Sequence, residues 1–340
     1  MKKTVILSYD YELFFGERSG TVLKSLIEPT YKIMDAMESV GFRGNFFIDV
    51  LMIKYLRRNK DERSVSDLKL IEDQIRDMVR RGHRIELHLH PHWVDASYNG
   101  DGTWDFSDFH HYSLSSFSES EIISMFVEGT QYLNSIGSEI TPDYKVCAFR
   151  AGGWAVQPFM ILKKAFSTTD IIIDSSSARG IFANNPDSSY DFRQMPDNEL
   201  YRFEDDVCIE KQDGNYIEVS ISTMHRWIGD LILNKLWRIF SNRLTNYTDG
   251  THDRNDIANY TNSKWNTFLK KIKTNYRDMC AFSLYNPITV FVHLLLDRKK
   301  IFCYIDHPKD YTKATEDGIK AISLISRHLM YVDIINTYKT

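Results

Sequence analysis

The stretch from His83 to Trp93, HRIELHLHPHW, gathers more groups able to do chemistry than any other part of this chain. Read as a strand, it puts Ile85, Leu87 and Leu89 on one face and Glu86, His88, His90 and His92 on the other. Pro91 argues against a helix and marks the strand's end. Neutral imidazole is the commonest metal-binding side chain, so three of them leaving a strand together form a candidate metal site. A histidine-rich loop without a ligand is the plainer alternative.

Other strand ends carry polar groups as well. The first offers Asp10 and Glu12, which a strand places on one side. Arg150 precedes Gly152-Gly153, where backbone without a Cβ lets a ligand approach Gly153 closely. Asp174 ends the strand after Arg150, and His307 follows a late one. A carboxylate with two imidazoles and open positions is a hydrolytic metal site. The metal would acidify water and polarise a carbonyl. A second carboxylate could take the water's proton, and a His opposite could protonate the leaving group. An Arg could hold the base ionised. Together these groups would support hydrolysis of an amide or ester. Each also has a plainer role: a solvated strand end for Asp10 and Glu12, an ion pair for Arg150, a turn for His307. Phe14, Phe15, Trp104 and Trp227 suit a core. Trp93 and Trp154 do too, although beside a polar site they also suit stacking on a sugar ring.

The elements that must position these groups alternate. Buried strands are expected at Thr4–Tyr9 and Gly44–Val50, and helices at Pro29–Val40 and Ser64–Arg81. The His strand follows Gly82. Asn99–His111 reads as a long loop. Ser118 and Glu121 fit a capping box opening a helix to Ser135. Tyr144–Phe149 and Thr169–Asp174 read as strands around a helix at Gln157–Phe166. Tyr216–Ser222, Thr289–Leu295 and Lys300–Tyr304 are further strand candidates. Helices are expected at Leu231–Phe240, Asn262–Met279 and Thr315–Met330, with a polar stretch over Asn242–Asn259. Ser175–Asp213 reads as an insertion with a small hairpin. The alternation predicts an α/β fold with a mainly parallel sheet, in one domain over residues 1–340. Polar residues just after strands are where barrel and doubly wound folds place their sites.

The 340 residues are 43% hydrophobic and 26% charged, as in a globular protein with a sizeable core. A net charge of −4 announces no basic surface for nucleic acid. The first apolar run meets Ser8 and Asp10 too soon for a signal peptide or a membrane span. Four scattered cysteines without a CxxC pair, and no export signal, fit a reducing cytoplasm.

These residues resemble the polysaccharide deacetylase family, whose fold is called the NodB-homology domain. Ser8-Tyr9-Asp10-Tyr11-Glu12 is similar to the family's T-F-D-D-G motif, and Gly44-Asn45-Phe46-Phe47 to its A-T-F-F strand. Gly82-His83-Arg84-Ile85 leading to His88 and His92 is similar to its H-x-x-x-H motif, and Phe149–Trp154 to its Arg motif. Asp174 and His307 stand where its late Asp and His motifs are expected. The likeness runs from Ser8 to about Asp310.

The resemblance implies a distorted (β/α) barrel of about seven parallel strands and a divalent metal, usually zinc. Asp10 would be the base, with Glu12, His88 and His92 as metal ligands and His307 as general acid. Arg150, with Asp174, would orient Asp10. The substrate would carry an N- or O-acetyl group on a sugar, and HLHPHW with DYE resembles a divergent subgroup tied to bacterial surface-polysaccharide or lipopolysaccharide gene clusters. Two departures leave alternatives open. Tyr11 separates acids that are adjacent in the family, so Asp10 and Glu12 could exchange roles. His90 has no counterpart in the motif, yet on a regular strand it faces the same way as His88 and could be a ligand. An amidohydrolase acting on a small amide, or a binding protein that has lost turnover, would share the same fold.

Overall fold

A computed structural model describes residues 2–184, 188–226, 228–241, 247–252 and 277–338. Nine strands form its main sheet. In chain order they are β1 (Lys3–Tyr11), β2 (Asn45–Asp49), β3 (Arg84–Leu89), β4 (Ala148–Ala151), β5 (Ile173–Asp174), β6 (Leu200–Phe203), β7 (Tyr216–Val219), β8 (Ile301–Asp306) and β9 (Ser326–His328). The sheet order is β6-β7-β5-β4-β3-β2-β1-β8, and β9 also pairs with β1. From β7 to β8 seven strands run parallel, while β6 is antiparallel to β7. The sheet curls almost closed. Just beyond β7, the Ser222 amide donates to the Cys303 carbonyl of β8 at 2.9 Å, and the Cys303 amide donates to Ser222 Oγ at 2.9 Å. The expected α/β barrel of about seven parallel strands is the observed architecture.

Strands of a parallel sheet are covered on both faces, so they are apolar on both. In β1, Val5, Leu7, Tyr9 and Tyr11 pack into the large core under the helices. Ile6 packs the other way, into the barrel, with Phe47, Ala148, Ile173 and Cys303. Ser8 and Asp10 continue that inward column, which is why polar groups appear where the apolar plug ends.

The helices are α1 (Glu28–Glu38), α2 (Val50–Arg58), α3 (Glu62–Arg80), α4 (Glu119–Ser138), α5 (Met160–Thr168), α6 (Ile228–Ser241), α7 (Pro287–Leu296), α8 (Lys313–Ser323) and α9 (Tyr331–Tyr338). The Ser118–Glu121 capping box forms as expected. In α3, Ile71, Ile75, Met78 and Val79 give the buried stripe that its spacing predicts.

Local signals misled in three places. Thr289–Leu295 is helical, because Asn286 caps the Thr289 amide at 2.9 Å and Pro287 fills the first turn. Thr315–Met330 divides into α8 and the short strand β9. Residues 175–213 hold the expected hairpin (Phe182–Asn184 with Ser189–Asp191), and they also supply β6 to the sheet. Trp227, the stretch 242–246 and all of 253–276 lie outside the described residues; of the helix expected to end at Met279, Arg277–Met279 is a strand paired with Thr223–His225.

Candidate metal centre and active site

Parallel register lines up the chemistry. Asp10 is level with Phe47, Asp49 with His88, His88 with Arg150, and Phe149 with Asp174. Of these residues Asp10 reaches a cavity of about 420 Å³, lined also by Glu12, His90, Trp154, His307 and Lys309 among others.

Glu12, His88 and His90 meet there, all buried, with one ligand atom from each within 4.8 Å of the others. Glu12 Oε2 lies 2.9 Å from His88 Nε2 and 2.6 Å from His90 Nε2. The other ring nitrogen of His88 is 2.7 Å from the Arg150 carbonyl. A carbonyl only accepts, so Nδ1 carries the proton. A neutral His88 would then aim an Nε2 lone pair at a carboxylate oxygen. That contact calls for a positive charge between them, either a proton or a metal cation. Burial disfavours a charged His88, but Asp10, Glu12 and Asp49 outweigh it and hold its pKa above the ordinary value. Glu12 behaves in the opposite sense. Burial would raise it, yet His90, Lys309 and the bond from His88 hold it well below the usual carboxylate range. Two imidazoles and a carboxylate, one ring fixed by a backbone acceptor, suit a divalent cation. His90 Nδ1 is buried without a hydrogen-bond partner, so its approach relies on packing. A Cβ at Gly152 would stand 2.7 Å from that nitrogen, so only glycine leaves room for the ring.

His92, expected as a ligand, is not part of this cluster. Strand alternation would have put all three rings on one side. Pro91 instead opens a 3₁₀ turn over Pro91–Val94, and rotation of about 120° per residue carries the His92 ring away. The ring packs edge-on to Phe15 with centroids 4.3 Å apart, and stacks on Tyr112 at 5.5 Å. Neither ring nitrogen has a hydrogen-bond partner, and burial holds its pKa well below the usual value.

Asp10 stands apart from the ligand cluster. Its Oδ1 accepts from Arg150 Nη1 at 2.5 Å. The Arg150 guanidinium is wholly buried, donates to Ser8 Oγ and the Ser175 carbonyl, and lies 4.2 Å over the Phe47 ring. Asp10 Oδ2 is 3.6 Å from His307 Nε2, and His307 Nδ1 faces Asp310 Oδ2 at 3.2 Å. Burial works against charging His307, but the bond to Asp310 and the charges of Asp310, Asp10 and Glu12 raise its pKa to about 9.

Two expected residues sit elsewhere. Asp174 does not touch Arg150, whose backbone-side partner is Ser175. It accepts from Ser176 Oγ at 2.8 Å and lies level with Glu218 on β7. Burial lifts Asp174 to about 6, and burial with the neighbouring Asp174 lifts Glu218 well above its ordinary value. Trp93 is fully buried and donates to Asp49 Oδ2 at 2.5 Å, which removes it from any substrate. Trp154 and Gly153 do line the cavity.

The sequence reading missed Lys309, which is almost wholly buried. Its Nζ donates to Glu12 Oε1 at 2.7 Å and to the Leu13 carbonyl at 3.0 Å. It also missed Asp310, which pairs with both His307 and His252. The signal was their place in DHPKD, where a 3₁₀ turn over Pro308–Asp310 brings 307, 309 and 310 into one loop.

No protein-family model matches the chain, and no curated protein matches it either. Solved structures do. A protein from Mycobacterium smegmatis provisionally named a polysaccharide deacetylase is 13% identical with a TM-score of 0.46, over 99% of this chain and 90% of that one. A family 4 carbohydrate esterase from Streptomyces lividans, in complex with acetate, is 10% identical with a TM-score of 0.38, over 95% and 87%. A 4-alpha-glucanotransferase from Thermococcus litoralis is 9% identical with a TM-score of 0.48, over 98% of this chain and 38% of that one. At such identities any functional reading rests on the site's own geometry. In these comparisons the chain is similar, over nearly its whole length, to solved polysaccharide deacetylases.

Proposed function

We propose that the chain is a metal-dependent hydrolase that removes an acetyl group, N- or O-linked, from a sugar of a bacterial surface polysaccharide. The observation that carries this reading is the separation of labour inside one cavity: a buried Glu12–His88–His90 donor set lies beside an Asp10 carboxylate that Arg150 holds apart from it. Glu12, His88 and His90 would hold a divalent cation, with zinc the best fit to two nitrogens and one oxygen. Such an ion supplies Lewis acidity, polarising the acyl carbonyl and acidifying water. Lys309 occupies Glu12 Oε1 and leaves Oε2 as the donor.

Asp10, held in place by the bond from Arg150, takes the proton from the attacking water. His307, protonated and held by Asp310, returns a proton to the departing nitrogen or oxygen. Trp154 and the glycine backbone at 153 offer the sugar a flat apolar wall. All four cysteines are free, in keeping with a reducing compartment.

The test is acetate release from a panel of N- and O-acetylated sugars, with chain that has been stripped by chelator and then reloaded with zinc. Release that depends on reloading supports the proposal. Activity confined to small non-sugar amides would move the reading to an amidohydrolase. Ligand binding with no turnover and no metal affinity would move it to a carbohydrate-binding protein.

A further inference from the structure

α6 is built inside out. Asp230 and Asn234 face the protein. Asp230 is buried and accepts from Thr289 Oγ1 at 2.8 Å, while pairing with the side chain of Arg226. Asn234 accepts from the Asn286 amide at 2.9 Å and donates to the Leu284 carbonyl at 2.9 Å. The opposite face exposes Ile228, Ile232, Leu236 and Ile239, one stripe at helical spacing, and Phe240 is 81% exposed. These same hydrogen bonds join α6 to the start of α7. That helix exposes its own stripe, Ile288, Val292, Leu295 and Leu296, the last at 73%. More than half of the strongly exposed large apolar side chains among the described residues fall between 228 and 296. Exposed apolar side chains gathered on two joined helices mark an interaction site.

Charge decides the partner. Among the described residues from 228 to 300, the exposed charged side chains are all basic. Lys235 on α6, with Arg298 and Lys300 just beyond α7, are exposed. A second copy docking here by twofold symmetry would set these cations against their own counterparts. An anionic lipid surface satisfies both features, since apolar side chains enter the acyl boundary while lysines meet the headgroups.

We propose that α6 and α7 form a docking face for an anionic bilayer, on which the protein lies without crossing. No helix among the described residues is long and apolar enough to span a membrane. Leu284, at the head of the α7 stripe, also lines the catalytic cavity. Docking therefore brings the cavity mouth towards the headgroups, and, on the hydrolase reading, towards sugars carried at the membrane surface.

Flotation of the full chain with phosphatidylcholine vesicles, with and without phosphatidylglycerol, tests this. Binding is expected to the anionic vesicles, stronger by about fivefold per engaged cation and weakened by salt. Combining Ile232→Ser, Leu236→Ser and Leu296→Ser should abolish it without changing the melting temperature, because these side chains are already exposed. Lys235→Glu with Lys300→Glu should remove the preference for anionic lipid. Failure of the wild-type chain to float, or flotation that survives the serine substitutions, overturns the proposal. So does a dimer, seen by sedimentation, that the serine substitutions dissolve while vesicles stay bare. Acetate release from a water-soluble sugar should be unaffected by these variants, so failure here is distinguishable from failure of the hydrolase reading.

Discussion

His88 and Arg150 hold each other through two different groups: the imidazole Nδ1 of one donates to the backbone carbonyl of the other at 2.7 Å, while the Arg150 side chain runs on to Asp10. The residue that fixes the His88 tautomer therefore also positions the proposed base. Ligand geometry and proton transfer share one support.

Replacing His88 or His90 with Ala should abolish binding of zinc, measured by elemental analysis after dialysis. His92→Phe should keep it, because that ring already sits among aromatic side chains. Zinc lost from His92→Phe and kept by His90→Ala would reinstate the pair expected from motif spacing.

The two carboxylates should separate cleanly. Asp10→Asn is expected to retain zinc and lose about 10²–10⁴-fold in turnover, the usual worth of a general base. Glu12→Gln should lose the metal itself. The reverse pattern would exchange their roles.

Arg150→Met removes a wholly buried cation and leaves Asp10 without its closest partner. Breaking such a pair costs about 3–5 kcal/mol. Urea unfolding of the metal-free chain should show a loss of that size, and a loss near zero would mean that His307 suffices for Asp10.

His307 gives a pH signature in the metal-free chain. Its pKa is about 9 when folded and about 6.5 when unfolded. The folded state thus binds the proton more tightly, and this contribution is complete below about pH 6.5 and lost as pH rises through about 9. Urea midpoints measured in chelator should fall across that window. Asp310→Asn, which removes the main partner of the ring, should flatten the slope; an unchanged slope would assign it to another group.

Much of the site was legible because its signals are local. The alternation in RIELHL and the apolar run before Asp10 place these side chains at parallel strand ends, whatever the rest of the chain does. Arg150 beside Gly152-Gly153 was legible for the same reason. Lys309 was not, since a lysine two residues after a His reads as solvated until the fold folds it back onto Glu12, 297 positions away in sequence. The helix over Pro287–Leu296 was misread as a strand because its apolar run looks like a buried one, and the Asn286 cap is a weaker signal than seven apolar residues.

The sequence by itself determined the strand-end chemistry, the α/β alternation and the set of candidate ligands, because side-chain type and period are properties of neighbouring residues. Only the tertiary structure decided which imidazoles converge. That choice depends on the turn Pro91 opens, on the space left at Gly152, and on Phe15 and Tyr112 closing around His92. Apart from the turn at Pro91, these are packing relations between segments far apart in the chain, which no local pattern encodes.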